Sequence, residues 1–383
     1  MDIDRLLKIM VEKGASDLFI TTGVPPSIKI NGKVVPVTTT KLTPEKCRET
    51  VLSVMTDSQR KEFVRDKELN FAISARGVGR FRVSSFYQRN LVGMVLRRIE
   101  TTIPDIDDLN LPAVIKDIAM TKRGLIVFVG GTGTGKSTSL AAMIGHRNRN
   151  SRGHIITIED PIEFMHSHQG CIVTQREVGI DTDSFEIALK NTLRQAPDVI
   201  LIGEVRTQET MEHAITFAET GHLCLCTLHA NNANQALDRI LNFFPPARHD
   251  QLWLDLSLNL KAMIAQQLIR TPDGQGRVAA IEVLLNTPLV SDMIKKGDVV
   301  SIKPLMAKSN EVGMQTFDQA LFRLYKQGKI TYDDALNSAD SANDLRLMIK
   351  LDSEHDFMEE ADKGGLAIEE EKDTNSFGGL SLR

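Results

Sequence analysis

The sequence predicts an α/β protein in two parts, a small α+β unit up to about residue 100 and a larger domain built on a mainly parallel sheet. Three observations carry this reading. At 383 residues the chain exceeds what a single hydrophobic core usually organises. Its first hundred residues read as short strands and two helices joined by tight turns. After Gly124 the pattern changes to short, continuous apolar runs at 125–129, 154–158, 199–202, 223–227 and 278–285, separated by helical stretches. Such runs are buried on both faces, which is the signature of a parallel sheet covered by helices.

Taken in order, residues 1–13 place Ile3, Leu6, Leu7, Met10 and Val11 at the spacing of an amphipathic helix. Strands are expected over 16–21, 27–30 and 33–37, the last two flanking Asn31 and Gly32, a pair that favours a two-residue hairpin. Thr43, Pro44 and Glu45 open a second helix, with Thr43 as N-cap and Pro44 at its first position. Strands over 68–74 and 79–88 complete the first unit near Glu100. Residues 101–112 hold two prolines and three aspartates without periodicity, so an interdomain linker with a flexible hinge is expected there. The second domain then covers 113–350, with a mostly helical last hundred residues. Residues 351–383 carry ten acidic and three basic side chains and two Gly-Gly pairs, and a disordered acidic tail is expected.

The net charge is −4, and because the tail alone contributes −7 the rest of the chain is close to neutral. No basic stripe is available to neutralise phosphates, so no nucleic-acid partner is expected. Cys47, Cys171, Cys224 and Cys226 form no CxxC pair, which argues against a disulfide framework. Cys224 and Cys226 share a strand face, but no spaced partners complete a zinc set. The N-terminus lacks a basic, then apolar, leader, and no eighteen consecutive residues are apolar. A cytoplasmic protein is expected, touching membrane only through partners.

The residues from Gly130 through Gly131, Thr132, Gly133, Thr134, Gly135 and Lys136 to Ser137 satisfy GxxxxGK[ST] between an apolar strand and a helix that continues with Thr138. Glycines let the backbone wrap a β-phosphate, the helix N-terminus adds free donors, Lys136 reaches the β- and γ-phosphates, and Ser137 offers its hydroxyl to Mg²⁺. The expected ligands are therefore ATP and Mg²⁺. A loop of this kind does not say what the energy is used for, and kinases carry it too. Three carboxylates, Glu159, Asp160 and Glu163, follow the 154–158 run at the strand edge where open α/β sheets bind ligands. Glu163 suits the task of orienting or deprotonating an attacking water. The run 198–204 has the form of a Walker B strand, except that Gly203 stands where an Asp usually precedes Glu204, which leaves Glu204 to share Mg²⁺ with Ser137. His222 and His229 bracket the next apolar strand, and an imidazole at a strand end can sense a γ-phosphate. Arg80 and Arg82 share a face of one strand, and Arg194 and Arg206 flank the Walker B run. Each is a candidate arginine finger, with a surface ion pair as the plainer reading.

The Walker A loop, the carboxylates from Glu159 to Glu163, the glycine-containing Walker B strand and the His222 and His229 pair, in this order, resemble the secretion ATPases of type II, type IV pilus and type IV secretion systems. The segments beginning at Gly14, Gly23, Arg80, Leu193 and Gly313 resemble the PilT-type pilus retraction branch, so the resemblance covers roughly residues 1–345. It implies a PAS-like N-terminal domain, a RecA-like ATPase domain and a homohexamer with nucleotide between domains. It also implies an inner-membrane pilus platform protein as partner and twitching motility as output. Phe19 departs from the His many relatives carry after Ser-Asp-Leu. Residues 289–294 depart from the Ala-Ile-Arg-Asn-Leu-Ile of PilT-type motors, and the acidic tail has no counterpart in short relatives. These departures resemble an accessory retraction ATPase that works with PilT. The paired CxxC motif of extension ATPases is absent.

Overall fold

The computed structural model describes residues 2–363 except 31 and 100, with side chains as far as Asp352. The first part begins with α1 (Ile3–Glu12), whose N-cap Asp2 accepts from the backbone of Asp4 and Arg5. β1 (Asp17–Thr21), β2 (Ser27–Ile30), β3 (Lys33–Pro36), α2 (Pro44–Ser53), α3 (Asp57–Asp66), β4 (Glu68–Ala75), β5 (Gly79–Gln88) and β6 (Leu91–Arg98) follow. The strands form one six-stranded antiparallel sheet in the order β3-β2-β1-β6-β5-β4. Leu7 and Met10 of α1 and Phe63 of α3 pack with Leu18, Ile20, Phe81 and Met94 in a closed core. Asn31 lies outside the described residues. The sequence did not announce α3 or β6. α3 starts on a Thr56–Gln59 capping box, and β6 is reached through Arg89 and Asn90, both with positive φ (48° and 62°). That turn closes a hairpin without the Asn-Gly or Asp-Gly pair that marks one in a sequence.

The expected loose linker is pinned. Ile106 is fully buried in a core beneath the second sheet, Asp105 pairs with Arg149, and Asp107 accepts from Lys116 at 2.7 Å. Short α4 (Val114–Ala119) leads to the second part, where β7 (Gly124–Val129), α5 (Lys136–Asn150), β8 (His154–Glu159), β9 (Ile172–Glu177), α6 (Phe185–Thr192), β10 (Val199–Ile202), α7 (Gln208–Glu219), β11 (Leu223–Leu228), α8 (Ala233–Asn242), α9 (His249–Asn259), β12 (Leu260–Arg270) and β13 (Arg277–Leu285) build a seven-stranded sheet. Its order is β13-β12-β7-β11-β10-β8-β9, parallel throughout except for the β12–β13 pair. Every residue of β7, β10 and β11 is buried. At roughly 1.5–3 kcal/mol for each large apolar side chain removed from water, these strands contribute strongly to the stability of the domain. Neither β12 nor β9 was expected. β12 is rich in Leu, Ala, Met and Gln, which favour helix, and only its position between β7 and β13 makes it a strand.

The chain ends in α10 (Pro288–Lys295), α11 (Ile302–Ala307), α12 (Phe317–Lys326), α13 (Tyr332–Ser338) and α14 (Ala342–Lys363). Of the stretch expected as a disordered tail, residues 351–363 are instead the continuation of α14, as their Glu, Leu and Met content allows. Residues 364–383 lie outside the described residues. Among the described residues no helix is long and apolar enough to cross a membrane.

Candidate nucleotide site

Parallel pairing brings the C-terminal ends of β7, β11, β10 and β8 to one edge of the sheet, and the sequence-predicted chemistry is concentrated there. β7 ends at Val129, and the loop closes on Gly135, the N-cap of α5, with φ +85°. A Cβ at Gly135 would lie 2.7 Å from Gln266 Nε2, so both conformation and space demand glycine. No side chain caps α5, which leaves its first N–H groups available to an anion. Gln266 of β12 accepts from Ser139 Oγ at 2.8 Å and so fixes the first turn of the helix. Thr134 Oγ1 donates to the Gly131 carbonyl at 2.9 Å. Lys136 is buried, and its Nζ donates to the carbonyls of Gly130 and Gly131, each at 2.7 Å. Burial pulls the Lys136 pKa down, opposed by the charges of Glu204 and Glu163.

Across a cleft of about 260 Å³ from this loop stand Glu163, Glu204, Arg206 and His229, with Thr132, Gly133, Lys136 and Ser137 on the near side. Glu204 follows β10. Its Oε2 accepts from an Arg206 guanidinium nitrogen at 2.6 Å, and its Oε1 lies 3.1 Å from His229 Nε2. Burial alone would raise the Glu204 pKa, but the Arg206 hydrogen bond and the charges of His229, Arg206 and Lys136 outweigh it and hold it below the usual carboxylate value. Gly203 explains itself sterically. A Cβ there would meet Glu159 Cα at 3.0 Å and the Ile158 carbonyl at 3.1 Å, tighter than ordinary contact, so a Walker B aspartate would press on the backbone of β8. Glu159 fills the neighbouring space. Burial pushes its pKa up to about 7, while hydrogen bonds from Thr157 Oγ1 (2.6 Å) and Gln175 Nε2 (3.2 Å) oppose the rise. The cleft thus combines phosphate-type donors, an ionised carboxylate and an imidazole within reach of one another.

The chain matches the family described as Type II/IV secretion system protein over residues 1–296. Over 356 residues, 93% of each chain, it is 73% identical to the type IV pilus ATPase PilU of Pseudomonas aeruginosa. This chain belongs to the type II/IV secretion system protein family. It is 39% identical to the PilT retraction ATPase of the same organism, across 88% of this chain and 98% of that one. A crystal structure of the pilus retraction motor PilT with bound ADP superposes on it with a TM-score of 0.85 at 40% identity, covering 90% of this chain and 99% of the other. The expected architecture, a PAS-like domain followed by a RecA-like domain, is therefore the observed one, and the chain is a PilT-like, nucleotide-binding ATPase.

Not every candidate in this PilT-like ATPase reaches the cleft. His222 precedes β11, so it sits at the opposite end of that strand from His229, about 20 Å away at ~3.3 Å per residue. Its Nδ1 lies 3.1 Å from Thr220 Oγ1 and 3.3 Å from the Phe217 carbonyl. The two histidines bracket the strand, but a strand separates its ends. Arg194 is exposed on a short 3₁₀ turn before β10, again at the far edge. Arg80 and Arg82 lie on β5 of the first sheet and outside the lining of the cleft. They are close enough to Glu177, at the end of β9, for their charges to oppose the rise that burial imposes on that carboxyl. Arg206 alone of the four arginines lines the cleft. Thr138 follows Ser137 in the first turn of α5. His166, Thr227 and Gln266 were not singled out by the sequence. Burial lowers the His166 pKa to about 4, and Thr227 Oγ1 donates to the Gly203 carbonyl at 2.6 Å. All three are recruited by long-range packing that no local motif records.

Proposed function

We propose that this chain is a hexameric, ATP-driven motor that serves type IV pilus retraction and twitching motility as an accessory to PilT. It would work at the cytoplasmic face of the inner membrane through a pilus platform protein. The observation that carries the reading is 73% identity over 93% of both chains to a pilus ATPase. The cleft supplies the chemistry. Lys136 exchanges the carbonyls of Gly130 and Gly131 for β- and γ-phosphate oxygens, and the backbone of Gly131, Thr132, Gly133, Thr134 and Gly135 wraps the phosphates, with Thr138 continuing the donor turn. Ser137 Oγ and the Glu204 carboxylate are hard oxygen donors on facing walls of one cleft and fit Mg²⁺ held together with nucleotide. Bound there, Mg²⁺ neutralises charge on the phosphates. Glu163 orients the attacking water and accepts its proton, and His229, already against Glu204, senses the γ-phosphate side. Arg206 holds Glu204 in place. Arg80, Arg82, Arg194 and His222, away from the cleft in one chain, are the groups a neighbouring subunit or a domain movement would bring to it.

A second reading has a specific observation behind it. Residues 289–294 depart from the motif of PilT-type motors, and Leu289 is half exposed on α10, suiting a module that binds ATP and docks on a PilT hexamer without motor action of its own. Retraction of fluorescently labelled pili separates the two. In cells lacking PilT, the accessory motor still supports measurable though weakened retraction, and a Lys136→Ala variant beside intact PilT reduces retraction force. Full force with Lys136→Ala would sink the motor reading and leave the docking module.

A further inference from the structure

His229 belongs to a short segment anchored at both ends. Before it, the Leu228 carbonyl accepts from the N–H of Gly130 at 3.2 Å, which ties the segment to the phosphate loop. After it, three side chains or carbonyls of the C-terminal part hold successive residues. Asn232 Nδ2 donates to Asp340 Oδ1 at 3.2 Å, the Ala233 N–H donates to Glu282 Oε1 at 2.7 Å, and Asn234 Nδ2 donates to the Val299 carbonyl at 3.0 Å. Four residues, 229–232, thus span from the phosphate loop to the first residue of α8. Asp340 also pairs with Lys303, and its N–H and that of Ser341 donate to Asp318 at 2.9 and 3.2 Å.

The middle tie stands out chemically. Glu282 lies within β13, only 2% exposed, between the apolar residues Ile281 and Val283. A carboxyl at that depth is costly unless it satisfies a partner. It meets two backbone N–H groups, that of Ala233 at the start of α8 and that of Phe317 at the start of α12, where helix termini favour a negative group. Burial raises the Glu282 pKa to about 7, against the Ala233 hydrogen bond and the charge of Lys303, with Asp340 pushing the same way as burial. An aliphatic residue would serve the strand as well. The acid is explained by the two helix starts it joins, α8 and α12.

We propose that Glu282 is a positioning residue for His229: by fixing the N-terminus of α8 it sets the reach of the 229–232 segment, and so the His229–Glu204 contact, from the C-terminal helical part of the molecule. The proposal rests on the reading of His229 as a group that acts on the γ-phosphate side. Steady-state ATP hydrolysis by the purified full-length protein tests it. Glu282→Leu keeps the volume and removes the acceptor; kcat falls about tenfold with KM for ATP changed less than about twofold, as expected when a positioning contact and not a binding contact is lost. Glu282→Gln restores the acceptor and returns kcat to within about threefold of the parent. In a His229→Ala background, Glu282→Leu causes no further loss, because both act through one group. A loss that multiplies with that of His229→Ala, or unchanged kcat in Glu282→Leu, overturns the proposal. Should Glu282→Leu not fold, Glu282→Met, which likewise removes the acceptor, gives the same comparison. Parental kcat in His229→Ala alone would instead defeat the reading of His229 and this proposal with it. A slow His229→Ala with multiplying losses defeats the positioning role only.

Discussion

Two carboxyls that line the same cleft are driven in opposite directions by their surroundings. Glu204 faces Arg206, His229 and Lys136 and is held below the ordinary value despite its burial, so it stays ionised and able to share a cation. Glu159 has only neutral donors, Thr157 and Gln175, and burial carries it to about 7 from an ordinary 4.5. Between those two values the folded protein holds a proton that the unfolded chain has released, so stability falls as pH rises across that window. Glu159→Gln removes this term. Thermal unfolding followed by circular dichroism should give Glu159→Gln a midpoint a few degrees above the parent at pH 8 and an equal one at pH 5. Equal midpoints at both values would mean that Glu159 is not held protonated. The sequence made the acid cluster legible, since Glu159, Asp160 and Glu163 follow an apolar run. It did not make the difference between Glu159 and Glu204 legible, because that depends on Gln175 from β9 and Arg206 from beyond β10.

At the scale of elements, the strand-loop-helix of the phosphate site was legible in the sequence, because Gly130, Gly133 and Gly135 each answer a local demand for positive φ. Gly203 was legible only as a departure. Its reason lies in the neighbouring strand, whose backbone at Ile158 and Glu159 approaches to within 3.0–3.1 Å of where a Cβ would be. In Gly203→Ala the backbone of β8 has to give by a few tenths of an ångström, and overpacking of this kind costs about 1–3 kcal/mol. Chemical denaturation should show that loss together with weakened ATP hydrolysis; a fully stable Gly203→Ala would contradict the close packing. β12 escaped the sequence reading for the opposite reason. Leu260–Arg270 carries helix-favouring residues, and pairing with β7 on one side and β13 on the other overrides their preference. α14 ran past its expected end because acidic composition alone does not distinguish a solvated helix from a disordered tail.

For the whole molecule, the division into an antiparallel unit and a parallel-sheet ATPase followed from the change of pattern at Gly124, and the sheet edge that collects Lys136, Glu163, Glu204 and His229 followed from parallel pairing. What the sequence could not convey is which candidates one chain brings together. His222 and His229 are close in sequence but lie at opposite ends of β11, and Arg80 and Arg82 belong to a different sheet. The buried anchor within the expected linker, Ile106, was not legible, because it is a single apolar residue among prolines and aspartates. We propose that ATP is hydrolysed in the cleft between the phosphate loop and Glu204. The most direct test is the kcat of purified full-length Glu204→Gln, measured alongside ATP affinity. Hydrolysis should fall by about 100-fold or more while ATP still binds within a few-fold of the parent affinity. Parental turnover in Glu204→Gln would contradict the account.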